Sequence, residues 1–229
     1  MNTQTAFQPT HGQSINGRSG FTSEPGSHRT TSLDSLATIA RYRRGQEICG
    51  QSYPCENWHC VVSGVAGRYV VRPDGRRQII DLLLPGDFFG FALRDAYDSN
   101  VDAVSDETIV AIYPRRRVEA LSATDPSVGR EIRQAAFKVL SRQQAQLLIL
   151  GRVTAVQKVG NFLLDMAGRT ACPETGTLEL PVSRYDIADY LAISPETVSR
   201  ALTDLAHRGK IKFSGRRSVR LLDRQALED

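Results

Sequence analysis

The sequence predicts an α+β chain in three consecutive parts: a strand-rich amino-terminal half, one long helix, and a small helical domain closed by a β-hairpin. Three observations carry this expectation. Between about 45 and 113, short apolar runs are separated by Gly, Pro, Asp and Asn turns. From Pro126 to Leu150 the apolar period lengthens from two residues to 3.6. From Pro181 to Leu222, two short capped amphipathic helices, a tight turn and a basic hairpin follow one another.

Residues 1–33 are rich in Ser, Thr, Gly, Gln and Asn and poor in aliphatic side chains. They cannot bury enough surface to offset chain entropy, so a disordered tail is expected there. Leu33, Leu36, Ile39 and Ala40 suit a short docking segment at the start of a domain spanning 34–122. Strands are expected at 46–49, 58–62, 67–72, 78–84, 101–103 and 108–113, a spacing that implies a sandwich or barrel-like roll. The segment 123–150 is read as a dimerisation helix, with Ile132, Ala136, Val139, Leu140, Leu147 and Leu150 as its seam; packing on its own roll is the alternative, and both hold if the first turns lie on the roll and the later ones in the seam. Ser141-Arg142-Gln143-Gln144 is expected to interrupt that seam and fix its register. A further helix over 153–168 would floor a carboxy-terminal domain spanning 151–229 through Val156, Val159, Phe162, Leu163 and Met166.

That last domain carries the most specific signal. Ser183 followed by Asp186 forms a capping box for a helix ending near Leu191. Ser194 caps a second helix with Pro195 at its first position, where the missing N–H is harmless. Ile187, Ala188, Leu191, Ile193, Val198, Leu202 and Leu205 close a small core, leaving Glu196, Thr197, Ser199 and Arg200 outward. Gly209 ends the helix, and KIKFSGRRSVRLL alternates around Ser214-Gly215 as a two-stranded wing. No acidic residue lies between Leu205 and Leu222, so Arg208, Lys210, Lys212, Arg216, Arg217 and Arg220 are expected without local partners. A winged helix-turn-helix with uncompensated charge is suited to double-stranded DNA. Ser183, Arg184, Thr197, Lys212, Arg216 and Arg217 are the expected backbone contacts. Glu196, Ser199 and Arg200 are the expected base readers: Arg pairs with guanine O6 and N7, Glu accepts from cytosine N4.

Composition excludes several other classes. The 229 residues, 41% hydrophobic, suffice for two small cores, and the net charge of +4 suits a nucleic-acid partner. No apolar run approaches the roughly 20 residues of a membrane span, and no basic-then-apolar leader is present, so a cytoplasmic protein without membrane contact is expected. The histidines at 11, 28, 59 and 207 are scattered, and no Gly-rich phosphate loop, Ser/His/Asp set or HExxH pattern occurs, so no enzyme is expected. Cys49 and Cys60 fall at apolar strand positions and Cys55 in the turn between them, so no metal and no cofactor is expected. Cys172, in ACPETGTLEL beside a cationic domain, is the one candidate redox thiol.

From about Leu36 onward the chain resembles the cyclic-AMP receptor protein/FNR superfamily of bacterial transcription regulators. The carrying motifs are LLLPGDFFGF at 82–91, LGRVTAVQKVGNFLLDMA at 150–167 and SRYDIADYLAISPETVSRAL at 183–202. The resemblance implies a cyclic-nucleotide-binding-type β-roll, a homodimer on a palindromic promoter site, and contact with RNA polymerase. Candidate polymerase surfaces are the Arg72–Arg77 turn and Arg115-Arg116-Arg117. The cyclic-AMP branch has arginine where this chain has Pro195. Glu196-x-x-Ser199-Arg200 instead resembles FNR and FixK-type regulators, which read TTGA…TCAA sites in low-oxygen, anaerobic or nitrogen-fixation control. Members that bind cyclic AMP use a glutamate and an arginine–serine pair, where this chain has Phe91, Tyr97 and Asp98. Cyclic AMP is therefore not expected as a ligand. FNR proteins hold an iron–sulfur cluster on amino-terminal cysteines, but none precedes Cys49. The alternative within the same fold is an effector-dependent or redox-sensing regulator.

Overall fold

The computed structural model describes residues 33–92, 95–170 and 176–228. The expected tail, up to position 32, and Cys172 lie outside the described residues. Eight strands build the amino-terminal half: β1 (Thr38–Tyr42), β2 (Glu47–Cys49), β3 (Asn57–Ser63), β4 (Ala66–Val71), β5 (Arg77–Leu83), β6 (Phe88–Phe89), β7 (Asn100–Ala103) and β8 (Thr108–Pro114). They form two four-stranded sheets ordered β1-β8-β3-β6 and β2-β7-β4-β5. All pairings are antiparallel.

Alternation along the strands fixes the two faces of the first sheet. Ala40, Val61 and Val110 point inward to meet Ala66, Leu83, Val101 and Ala103 of the second sheet. Cys60, Ala111 and Tyr113 point outward, against Leu33, Val118 and Val128. Leu33 and Leu36 thus dock as expected, but Ile39 and Ala40 belong to a strand that pairs with β8 rather than to a docking segment. Strand β6 has only two residues, too few to show a period, and it too escapes the sequence.

Helix α1 (Arg115–Thr124) leads directly into α2 (Pro126–Leu150), which has the bounds its 3.6-residue period predicts. Asp125 caps α2 by accepting from the Ser127 N–H at 2.9 Å, with Pro126 at the first position. Of the polar segment in the middle of α2, Arg142 and Gln143 turn towards the roll and not into a seam. Arg142 Nη2 lies 3.0 Å from Asp81 Oδ2 and its Nη1 lies 2.9 Å from Asp87 Oδ1. Gln143 donates to the Ile80 carbonyl at 3.2 Å and Gln146 to that of Ile79 at 3.1 Å. Ser141 and Gln144 alone of that segment remain exposed.

Helix α3 (Ala155–Arg169) is anchored at both ends. Thr154 and Gln157 form a capping box, and Arg169 Nη2 meets Asp87 Oδ2 at 2.8 Å while also bonding the Leu82 carbonyl. Asp87, the acidic residue of the PGDFFG motif, accepts from the Leu84 N–H at 2.8 Å as well. It therefore closes a turn and joins two helices. The buried face of α3, Val159, Phe162, Leu163 and Met166, shares one core with Val65, Ile79, Leu82 and Leu84 of the roll and with the helices that follow. Val156 packs at its edge.

Those helices are α4 (Arg184–Leu191) and α5 (Pro195–His207), joined through Ala192, which sits left-handed at φ 54° and ψ 44°. Ile187, Ala188, Leu191, Val198, Leu202 and Leu205 are buried between them, and Ile193 is half-buried. Strands β9 (Thr177–Glu179), β10 (Ile211–Phe213) and β11 (Ser218–Leu221) form a separate sheet ordered β10-β11-β9, and α6 (Gln225–Glu228) packs on α3.

Two stability effects follow. Arg142→Ala leaves Asp81, only 3% exposed, without its cation; urea unfolding is expected to show a loss of about 3–5 kcal/mol. Ala192→Gly relieves a left-handed backbone that disfavours a Cβ, partly offset by the freedom glycine adds to the unfolded chain. The expected gain is about 0.5–1 kcal/mol, seen as a raised melting temperature.

Candidate nucleic-acid interface

The interface starts at two helix N-termini. The Ser183 hydroxyl accepts from the Asp186 N–H at 3.2 Å, while Asp186 Oδ2 accepts from the Ser183 N–H at 2.9 Å. This is the capping box the sequence predicts. The Ser194 hydroxyl accepts from the Thr197 N–H at 3.1 Å, so α5 also begins with its first donors satisfied and with Pro195 in its first turn.

The outer face of α5 is free of the core. Glu196 and Arg200 are exposed and Thr197 and Ser199 half-buried at its margin. Glu196 and Arg200 stand one turn apart. The Glu196 carboxyl is held below its ordinary pKa mainly by its own backbone N–H, then by the Ser194 hydroxyl and by the Arg200 charge. An acceptor thus stands beside a five-fold donor. A groove lined by Ser199, Arg200, Thr203, Asp204 and His207 runs along the rest of this face.

The wing flanks it. Ile211 pairs with Leu221, Lys212 with Arg220 and Phe213 with Val219. The turn is wider than the Ser214-Gly215 pair expected, closing instead through a bond from the Ser214 N–H to the Ser218 carbonyl at 2.9 Å. Strand β9, which the sequence does not announce, pairs with β11 and braces the wing from behind. Arg184, Lys212, Arg216, Arg217 and Arg220 are exposed and make no ion pair among the described residues. The expectation of six unpartnered cations needs correction at two positions. Arg208 Nη2 lies 2.8 Å from Asp204 Oδ2, one turn back on α5, and Lys210 bonds the Ala226 carbonyl.

Two exposed aromatic residues beside these cations escape the sequence reading. Tyr185, 70% exposed at the second position of α4, and Phe213, 41% exposed on the wing, line a cleft of about 270 Å³ with Arg184, Arg216 and Arg217. Their signal is present in the sequence: Tyr185 falls outside the buried face of α4, and Phe213 sits among polar neighbours.

The roll interior is filled with rings. His59 stacks on Phe89 at 4.9 Å and tilts against Tyr97 at 6.1 Å. Burial pushes His59 down to about 4, leaving it neutral near pH 7. His59 Nδ1 and Arg68 Nε are buried without a hydrogen-bond partner among the described residues. Tyr97 donates its hydroxyl to the Asn57 carbonyl at 2.8 Å, and Asp98 accepts from the Ser99 hydroxyl at 2.8 Å. Phe91 leans on Trp58 with centroids 5.0 Å apart. Cys49, Cys55 and Cys60 are buried free thiols, and burial pushes Cys60 up to about 12. Among the described residues no His/Cys/Asp/Glu group suits a metal ion, and no helix is long and apolar enough to cross a membrane.

Comparison with known proteins agrees with this architecture. Residues 157–229 match the Crp-like helix-turn-helix domain, and residues 39–125 match the cyclic nucleotide-binding domain. The nitrogen fixation regulation protein FixK of Azorhizobium caulinodans is 41% identical over 84% of this chain and 79% of its own length. FixK of Rhizobium meliloti is 35% identical over 82% of this chain and 85% of its own. The solved structure of FixK2 from Bradyrhizobium japonicum superposes with a TM-score of 0.77 at 38% identity, covering 84% of this chain and 96% of that one. FnrL of Cereibacter sphaeroides, named a transcriptional activator protein, is 30% identical over 86% of this chain and 82% of its own length. With its β-roll, long helix and DNA-binding helix-turn-helix, the chain belongs to the Crp/Fnr superfamily of bacterial transcription regulators, in its FixK-like branch.

Proposed function

We propose that this transcription activator binds as a homodimer to TTGA-N6-TCAA-type palindromes, in low-oxygen, anaerobic or nitrogen-fixation gene control, without a cyclic nucleotide. One observation carries the reading of sequence. Glu196 and Arg200 stand one turn apart on the exposed face of α5, beside a wing whose Lys212, Arg216, Arg217 and Arg220 make no ion pair among the described residues. Together they read a single G·C pair, the guanidinium on guanine and the carboxylate on cytosine. Ser199 reaches a neighbouring thymine or phosphate. Ser183, Arg184, Thr197, Lys212, Arg216 and Arg217 hold the backbone and set the salt dependence. Pro195, adjacent to Glu196, offers no side-chain hydrogen bond to a base.

The dimer reading rests on the face of α2 turned away from the roll. Phe137, Leu140, Leu147 and Leu148 are 61%, 53%, 69% and 74% exposed, and 137, 140, 144 and 147 follow a coiled-coil spacing. Of the seam residues expected from sequence, Ala136, Leu140 and Leu147 are on or beside this face, Val139 and Leu150 are half-buried, and Ile132 packs on the roll. Phe137 and Leu148 join the seam. RNA polymerase contact is assigned to Arg72, Arg116 and Arg117, which are exposed; Arg76, Arg77 and Arg115 are occupied by Asp74, by Asp186 and Asp189, and by Glu119. Freedom from cyclic AMP rests on the resemblance, by which Tyr97 and Asp98 stand in for the family's arginine–serine pair: a buried phenol and an exposed carboxylate offer a phosphate no cation.

Purified protein, without ligand and in reductant, is expected to bind a labelled TTGA-N6-TCAA duplex and not TGTGA-N6-TCACA; preference for the latter overturns the assignment. Arg200→Ala should lose about 1–3 kcal/mol and discrimination at its G·C pair, while Arg216→Ala should lower the salt slope by about one. Leu140→Glu with Leu147→Glu should give a monomer by light scattering, with loss of palindrome binding at concentrations that saturate the parent.

A further inference from the structure

The DNA-reading domain is gripped by the roll at a second place, remote from Asp87. Arg77, at the start of β5, puts Nη2 2.9 Å from Asp186 Oδ1 and Nε 3.1 Å from Asp189 Oδ2. Arg44, in the β1–β2 turn, puts Nη2 3.1 Å from Asp186 Oδ2. Gln78 donates to the Asp189 carbonyl. The Arg77 guanidinium lies 5.3 Å from the Tyr69 ring centroid, so its direction is set from the roll side. Asp186 is 4% exposed and is also the carboxylate that closes the α4 capping box. One side chain thus fixes where α4 starts and how α4 is carried on the roll.

By contrast, the connector between α2 and α3, residues 151–154, is exposed throughout, with Val153 at 93%. Four exposed residues do not by themselves define an angle. The face of α5 that carries Glu196 and Arg200 stays exposed while the grip is closed, so the grip holds the reader without covering it.

We infer that Arg77 and Arg44 are positioning residues for DNA reading. They act through Asp186 and Asp189 to fix the angle of α4, hence of α5, so that two recognition helices are presented at one separation. This rests on the two-half-site reading above. One added base pair moves a half-site by about 3.4 Å and rotates it by about 34–36° about the duplex axis, which a rigidly carried helix cannot follow. With this grip open the reader is held on the roll by Arg169–Asp87 and the shared apolar cluster alone, so α4 and α5 gain play and spacer selectivity falls along with affinity for the preferred spacer.

The test compares the parent, Arg77→Ala, Asp189→Ala and the exchange Arg77→Asp with Asp189→Arg. Asp186 is left alone because it caps a helix. Each protein is titrated on TTGA/TCAA duplexes with spacers of five, six and seven base pairs. The parent should prefer six; both single variants should lose most of that preference, and the exchange should recover part of it. Equal weakening on all three spacers, the result of a merely structural role, overturns the inference. A DNA-free arm reports on the grip itself: trypsin cleavage after Arg152, mapped by mass spectrometry, should be several-fold faster in Arg77→Ala. A parent that binds no spacer sinks the half-site reading alone, and the cleavage rate then decides, an unchanged rate overturning the grip.

Discussion

The carboxylate of Asp87 ties together parts of the chain that the sequence keeps far apart. It sits in the tight turn before β6, closes that turn through the Leu84 N–H, and receives Arg142 from the middle of α2 and Arg169 from the end of α3. Asp81 shares Arg142 from the neighbouring strand. In so little water, each charge is tolerable only because its partners are present, so these groups stand or fall together. Their arrangement decides which face of α2 lies on the roll. The opposite face, with Phe137, Leu140, Leu147 and Leu148, is thereby left to solvent.

Much of this could be read in advance, for identifiable reasons. The bounds of α2 follow from its period and from Asp125-Pro126; both caps of the helix-turn-helix follow from Ser183, Asp186, Ser194 and Pro195, whose effects are local. Six strands were legible from alternation bounded by turn residues. What escaped depends on distant partners. β6 and β9 are two and three residues long and exist because β3 and β11 lie beside them. Arg142 and Gln143 looked like breaks in an apolar seam, because nothing local announces that Asp81 and the Ile80 carbonyl await them. The same holds for Arg77, which sits in an apparently solvated turn and yet meets a helix more than a hundred residues later.

The candidate interface divides in the same way. Glu196, Ser199 and Arg200 could be placed because a helix of known start has a known outer face. Tyr185 and Phe213 escape the sequence because aromatic residues in short elements have the pattern of core. Arg208 reads as free in the sequence because its partner, Asp204, lies just before the acid-free stretch.

Because Leu163, Tyr190 and Leu191 of the reading domain lie in one apolar cluster with Ile79, Leu82 and Leu84 of the roll, sensor-type and reader-type parts are not separable modules. Cut between α2 and α3, the reader would expose the surface that now covers β5, and the roll would lose its lid. Recombination that transplants such a reader onto an unrelated sensor must therefore carry the matching face of β5 with it. In this chain, inheritance of DNA specificity and inheritance of the β-roll surface are physically linked.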